Sequence, residues 1–269
     1  MPELPEVETV VRTLERQIQG SEIKDIHILY PKVIANVSSE EFHNRLLNQH
    51  FREFHRRGKY LIFEMEDAVL ITHLRMEGKF YLQPKGAPYD KHTHVIFTLN
   101  DNRDLQYHDV RKFGRFYLYQ IGEELTCLNE LGLEPWDENL NAEYLREKLS
   151  HNSAPIKSAL LDQSIIAGIG NIYANEICFA CHLYPAKAAR ELRESDYENI
   201  IRETRRILAE AIQAGGSTIR DYTSSLGVTG RFQQSLKVHM QKMCPQCGNE
   251  IKKIKVNGRG TYYCSNCQK

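Results

Sequence analysis

"THVIFTLNDNRDLQYHDVRKFGRFYLYQ", residues 93–120, decides the fold. It holds three runs of strand length, "THVIFTL" (93–99), "RDLQYH" (103–108) and "GRFYLYQ" (114–120), rich in β-branched and aromatic residues. Turn-like residues part them, "NDNRD" after the first run and "DVRKFG" after the second. The same signal extends back through "KDIHILY", "YLIFEM", "AVLITHL" and "KFYLQ", with "PKGAPYD" as a further turn. Short strands from Ile23 to about Tyr119, separated by turn-like stretches, predict a mainly antiparallel β-sandwich.

Helices flank these strands. Val7, Val10, Val11, Leu14 and Ile18 form an amphipathic stripe, with Pro5, Glu6 and Glu8 suited to its first turn. After "LGLEPWDENL" the pattern becomes helical: "NAEYLREKLS", "APIKSALLDQS", "NIYANEICFACH" and "ESDYENIIRETRRILAEAIQAGG", the last ended by Gly215 and Gly216. "IAGIGN" separates the second and third helices as a tight turn whose backbone can approach something closely. "GGSTIRDYTSSLGVTG" follows and reads as a mobile loop, and a cysteine-bearing hairpin ends the sequence. The fold class is α+β.

With 269 residues, two domains are expected over one. No apolar run approaches the roughly 18 residues of a membrane span and no signal peptide is visible, so we expect a cytoplasmic protein with no membrane partner. Formal net charge is zero, but the average conceals an asymmetry. Arg231 to Lys269 carries eight basic residues and one acidic, a net +7 that the preceding 230 residues balance with −7. A basic tail suits a polyanion, and equally suits a solvated charged face.

Cys244-x2-Cys247 and Cys264-x2-Cys267, sixteen residues apart, match two knuckles that hold one tetrahedral zinc ion. Four thiolates leave no open position, so the metal is expected to be structural. Between the knuckles "IKKIKVNGRGTYY" alternates apolar and basic residues, with "NGRG" as its turn and Arg259 at the tip, able to meet a phosphate or simply solvent. Cys178 and Cys181 lie in an apolar helix and read as buried thiols. Lys59 in "RRGKY" precedes a strand as many surface lysines do. "HLRMEGKF" and "DVRKFGRF" display Met76, Arg111 and Phe113 on turns. Taken singly, Met76 and Phe113 read first as core residues; beside an arginine they also suit a wedge into stacked bases.

Together, "MPELPEVET", "RRGKYL", "HLRMEGKF", "DVRKFGRF", "GIGNIYANE", "GGSTIRDY" and the cysteine hairpin resemble, in order from Pro2 to Lys269, the bacterial formamidopyrimidine-DNA glycosylases, base-excision repair enzymes for oxidised purines. The resemblance implies a catalytic β-sandwich (1–130), a helix-two-turn-helix domain with a lesion-capping loop (131–235) and a zinc-finger hairpin (236–269). It also implies a monomer acting on double-stranded DNA that contains oxidised purines or abasic sites.

By the same resemblance, removal of Met1 frees the Pro2 nitrogen, and an α-amino group ordinarily titrates at about 7.7–8.0. Pro2 attacks the deoxyribose and Glu3 is the general acid. Lys59 contacts the lesion phosphate and assists β-elimination, while Arg259 serves phosphate binding and δ-elimination. His73, His92, Asn152 and Asn171 are matched to DNA contacts, although Asn152 stands where some relatives carry a basic residue; Lys157 nearby is retained. Met76, Arg111 and Phe113 fill the gap left by the extruded nucleotide. Glu6, Ile219, Arg220, Asp221 and Tyr222 contact the lesion. Two alternatives stand beside this: an endonuclease VIII-type glycosylase for oxidised pyrimidines, and a non-catalytic, zinc-dependent damaged-DNA-binding protein.

Overall fold

The computed structural model describes residues 1–217 and 231–269, which form two compact units. One is Met1–Asn129 with the described part of Gly215–Gly230; the other is Glu130–Ala214 with Arg231–Lys269.

The first unit begins with α1 (Leu4–Ile18), β1 (Ile23–Ile28), α2 (Ser39–Leu46) and β2 (Glu53–Arg57). It continues through β3 (Tyr60–Glu64), β4 (Ala68–His73), β5 (Lys79–Pro84), β6 (Thr93–Leu99), β7 (Arg103–His108) and β8 (Arg115–Gln120). The strands make two four-stranded sheets, ordered β1-β6-β7-β5 and β2-β3-β4-β8, with every pairing antiparallel. All seven expected strands are present.

The two sheets share a core in which Val95, Phe97, Leu105 and Phe80 of one join Leu61, Phe63, Leu70 and Phe116 of the other. Val7, Val10, Val11, Leu14 and Ile18 of α1 are buried in this core, each contributing about 1.5–3 kcal/mol by transfer from water. The unbroken apolar run of β4 also has its cause. Its second face, Val69 and Ile71, joins Ile62 and Tyr119 in a separate cluster covered by Leu125 and Leu128, so the strand is buried on both sides.

The second unit contains α3 (Ala142–Leu149), α4 (Ile156–Leu161), α5 (Asn171–Ala180), α6 (Glu194–Gln213) and the hairpin β9 (Lys252–Val256) with β10 (Arg259–Tyr263). α5 is buried along nearly its whole length and is the axis of this unit, touching α4, α6 and β10. Phe179 from it enters one cluster with Val238, Cys244, Ile251 and Cys264, which docks the cysteine hairpin on the helices. No described helix is long and apolar enough to cross a membrane.

Candidate functional site

Strand register gathers several of the expected residues at one end of the sandwich. Tyr60 pairs with His73 and His73 with Arg115, while Lys79 and Thr93 both pair with His108. The β2–β3 turn with Lys59, the β4–β5 turn with Met76, the β7–β8 turn with Arg111 and Phe113, and His92 before β6 therefore leave the sheets side by side. The first turn of α1 joins this end, since Glu8 accepts from Arg56 Nε at 2.9 Å and Arg56 also donates to the Gly58 carbonyl at 3.1 Å.

Pro2 and Glu3 are buried ahead of α1, whereas Met1 is 47 % exposed. Glu6 fixes them in place. Its Oε2 accepts the Glu3 amide at 2.9 Å, half of a capping box, and its Oε1 accepts both the amide (2.7 Å) and the hydroxyl (3.1 Å) of Ser217. Gly216 makes that approach possible: its φ is +81°, and a Cβ there would stand 2.9 Å from Glu6 Oε1 and 3.3 Å from the Glu6 Cα. Glu6 thus ties the N-terminus to Ser217, 211 positions along the chain. Ile219, Arg220, Asp221 and Tyr222 lie outside the described residues.

Lys59 and His73 are buried although both are polar. His73 Nδ1 accepts the Arg75 amide at 2.9 Å, so the neutral ring carries its proton on Nε2 and is a donor there. Burial first, then the cations of Arg75 and Lys59, push its pKa down to about 3. A neutral donor and a lysine side by side suit a phosphate oxygen.

The two neighbouring turns share one plan. Arg75 before Met76 and Lys112 before Phe113 both adopt left-handed backbone, φ 54° and 59°, at roughly 1–2 kcal/mol each. Gly78 and Gly114 follow, and a Cβ on either would run into the Tyr107 hydroxyl, at 2.5 Å and 1.7 Å, so the Tyr107 side chain supports both turns from below. Phe113 is 48 % exposed, Met76 half-buried, and the Arg111 guanidinium lies 4.7 Å over the Phe113 ring. The core reading of Phe113 therefore fails: the strand alternation ends before it, and the turn carries it out to solvent. His92 is half-buried against His108, and its Nδ1 has no hydrogen-bond partner among the described residues.

The second unit holds the remaining candidates. Asn171 is the first residue of α5, after Gly168 (φ 98°) and Gly170, so it stands at a helix N-terminus. Gln163 shapes the turn before it, donating to the Leu161 and Ile169 carbonyls and accepting from Gly168. Arg259 is exposed next to a tight turn at Asn257 and Gly258, both with positive φ.

Lys157, the lysine retained beside the Asn152 position, faces inward. It is fully buried and donates to the Gly260 carbonyl (2.9 Å) and the Thr261 hydroxyl (2.7 Å), bolting the hairpin tip to α4. Asn152 Oδ1 accepts the Ala154 amide and so serves its own loop.

The four cysteines converge. Their Sγ atoms lie within 4.8 Å of one another, with Cys244–Cys267 at 3.8 Å and Cys247–Cys264 at 3.5 Å, near the ~3.8 Å edge expected for sulfurs bound tetrahedrally at about 2.3 Å. The set fits one structural zinc. Cys178 and Cys181 are buried thiols, with burial pushing Cys178 up to about 12.

Family models match three successive parts of the chain. They describe the formamidopyrimidine-DNA glycosylase N-terminal domain (residues 1–116), the formamidopyrimidine-DNA glycosylase H2TH domain (131–223) and a zinc finger found in FPG and IleRS (242–269). The formamidopyrimidine-DNA glycosylase of Bacillus licheniformis is 44% identical, over 100% of both chains. Lactococcus lactis Fpg in complex with abasic-site-containing DNA is similar at 42% identity and a TM-score of 0.93, covering 99% of each chain. The wild-type L. lactis protein with N7-benzyl-Fapy-dG-containing DNA gives the same identity, TM-score and coverage.

Proposed function

The chain belongs to the formamidopyrimidine-DNA glycosylase family, and from that membership we propose that Pro2 is its nucleophile and Glu3 its general acid. The protein is a base-excision repair enzyme for oxidised purines, a DNA glycosylase with abasic-site lyase activity, and carries one structural zinc. Its partner is damaged DNA.

Once Met1 is removed, the Pro2 nitrogen is a free secondary amine. Its lone pair forms a bond to C1′ of the extruded nucleotide. The bond from C1′ to the base breaks and the base leaves with the electron pair of that bond, taking up the equivalent of the proton that the Pro2 nitrogen gives up. Glu3 protonates the ring oxygen as the sugar opens, and the C1′–nitrogen adduct becomes a cationic iminium. That cation draws electrons, so the C2′ proton is lost and the 3′ phosphate departs by β-elimination. Loss of the C4′ proton then expels the 5′ phosphate by δ-elimination.

Lys59, and His73 as a neutral donor, hold the lesion phosphate in this scheme, with Asn171 and Arg259 holding neighbouring phosphates. Met76, Arg111 and Phe113 occupy the space left in the helix, and His92 contacts the backbone. Glu6 orders the N-terminus and, with Ile219, Arg220, Asp221 and Tyr222, meets the lesion. Asn152 is the weakest member of the set, since its side-chain oxygen is committed to Ala154. In functional terms residues 1–130 carry the chemistry, 131–235 bind DNA and cap the lesion, and 236–269 present Arg259. A DNA substrate puts the enzyme's working place in the bacterial cytoplasm, at the nucleoid.

The observation that carries the proposal is the burial of Glu3, Glu6, Lys59 and His73 at one end of the sandwich, beside its apolar core. Buried ionisable groups cost stability, and their grouping around a prolyl N-terminus has a chemical use. Single-turnover excision from an 8-oxoguanine·cytosine duplex tests it. Glu3→Gln is expected to slow base release by about 10²-fold or more while keeping affinity for the lesion duplex. Equal rates would remove Glu3 from the chemistry.

A further inference from the structure

We propose that Asp109 is a positioning residue for lesion search, its carboxylate holding the β7–β8 turn in the shape that presents Arg111 and Phe113 to DNA. This rests on the role given above to Arg111 and Phe113. Asp109 is fully buried at the root of the turn. Its Oδ1 accepts the Arg111 amide at 3.0 Å, and its Oδ2 accepts the amides of Phe113 at 2.9 Å and Gly114 at 2.8 Å. One carboxylate therefore accepts three of the backbone amides of a single turn, and hydrogen bonds to a carboxylate are the stronger kind.

Asp109 is itself fixed to β6. Its amide donates to the His92 carbonyl at 2.9 Å, and its own carbonyl lies 2.7 Å from His94 Nε2 and also accepts the Lys112 amide at 3.3 Å. From the other side, Arg115 donates to the carbonyls of Lys112 (3.0 Å) and Gly114 (2.7 Å). Two charged side chains thus grip opposite poles of the backbone, and Tyr107 closes the space beneath Gly114.

What the grip holds is a left-handed Lys112 and two side chains turned outward. Among the described residues Arg111 forms no ion pair; its one contact of note is the Phe113 ring. A turn needed only to join two strands has no use for an exposed phenylalanine or for backbone strain. A turn that must enter a base stack has use for both, because rigidity before binding lowers the cost of binding.

Wild type, Asp109→Asn and Arg111→Ala should be compared in two assays and by thermal melting. One is single-turnover excision of 8-oxoguanine opposite cytosine in a duplex. The other is borohydride trapping on a single-stranded abasic oligonucleotide, which has no stack to enter and no opposite base. Asp109→Asn leaves amide hydrogens facing backbone N–H groups. It is expected to slow duplex excision about 10- to 100-fold, as Arg111→Ala does, with single-strand trapping within about twofold of wild type.

Unchanged duplex excision in Asp109→Asn overturns the proposal. So does a parallel loss in both assays with a lowered melting point, which would make Asp109 structural only. Wild-type excision by Arg111→Ala would instead sink the role of Arg111 itself, and the proposal with it. Should Asp109→Asn fail to fold, amide exchange in the wild-type protein decides: protected amides at 111, 113 and 114 on this exposed turn are expected, and exchange at unprotected rates refutes the clamp.

Discussion

His73 is neutral because it is buried and because two cations stand beside it. Its folded pKa of about 3 lies below its ordinary value near 6.5, so between those limits the unfolded chain binds a proton that the folded chain does not. The stability that His73 contributes is therefore complete above about pH 6.5 and is lost as pH falls toward 3. His239 follows the same rule, its pKa pushed down to about 4 by burial and by Lys157 and Lys253. Imidazole NMR signals of both residues are expected not to titrate between about pH 5 and 8; a midpoint near 6.5 for His73 would contradict its assignment as a neutral donor. The types of the site residues were legible in the sequence. Their states were not: nothing in "RRGKY" or "THL" says that Lys59 and His73 are buried, because burial comes from strands 60–64, 68–73 and 115–120 meeting in register.

Among elements, the seven strands with clear apolar runs could be read directly, and β2 and α2 could not. In β2, "EFHRR", only Phe54 is buried while Glu53 and His55 face solvent, so one apolar residue carries the whole core face. α2 is eight residues long with Phe42 and Leu46 as its buried pair; its clearest mark is Ser38 capping the Glu41 amide. The hairpin was legible in its cysteines and its Asn-Gly turn, but its anchor was not. Lys157, about a hundred residues earlier, carries no mark in the sequence of its bonds to Gly260 and Thr261. An element held by zinc and by one buried lysine should open when the metal leaves. Stripping zinc with a chelator is expected to abolish amide protection across residues 244–269 while β3, β4 and β6 stay protected. Retained protection in the hairpin would show that packing on Phe179 suffices without metal.

For the whole molecule, formal neutrality was the least informative number, because it averages an acidic body with a basic tail. The chain's division into two units follows contacts and not composition: Gly215 to Ser217 belong with the β-sandwich because Glu6 binds Ser217, although in sequence they follow α6. Glu6 lies 211 positions from Ser217, a link no local pattern announces. Intact-mass spectrometry with peptide mapping, after incubation with an 8-oxoguanine·cytosine duplex and borohydride, tests the central claim that chemistry begins at the N-terminus. A single DNA adduct on a peptide that starts at Pro2 is the predicted result. An adduct on Lys59 or elsewhere, or none from a chain shown to begin at Pro2 and to excise the lesion, would contradict it.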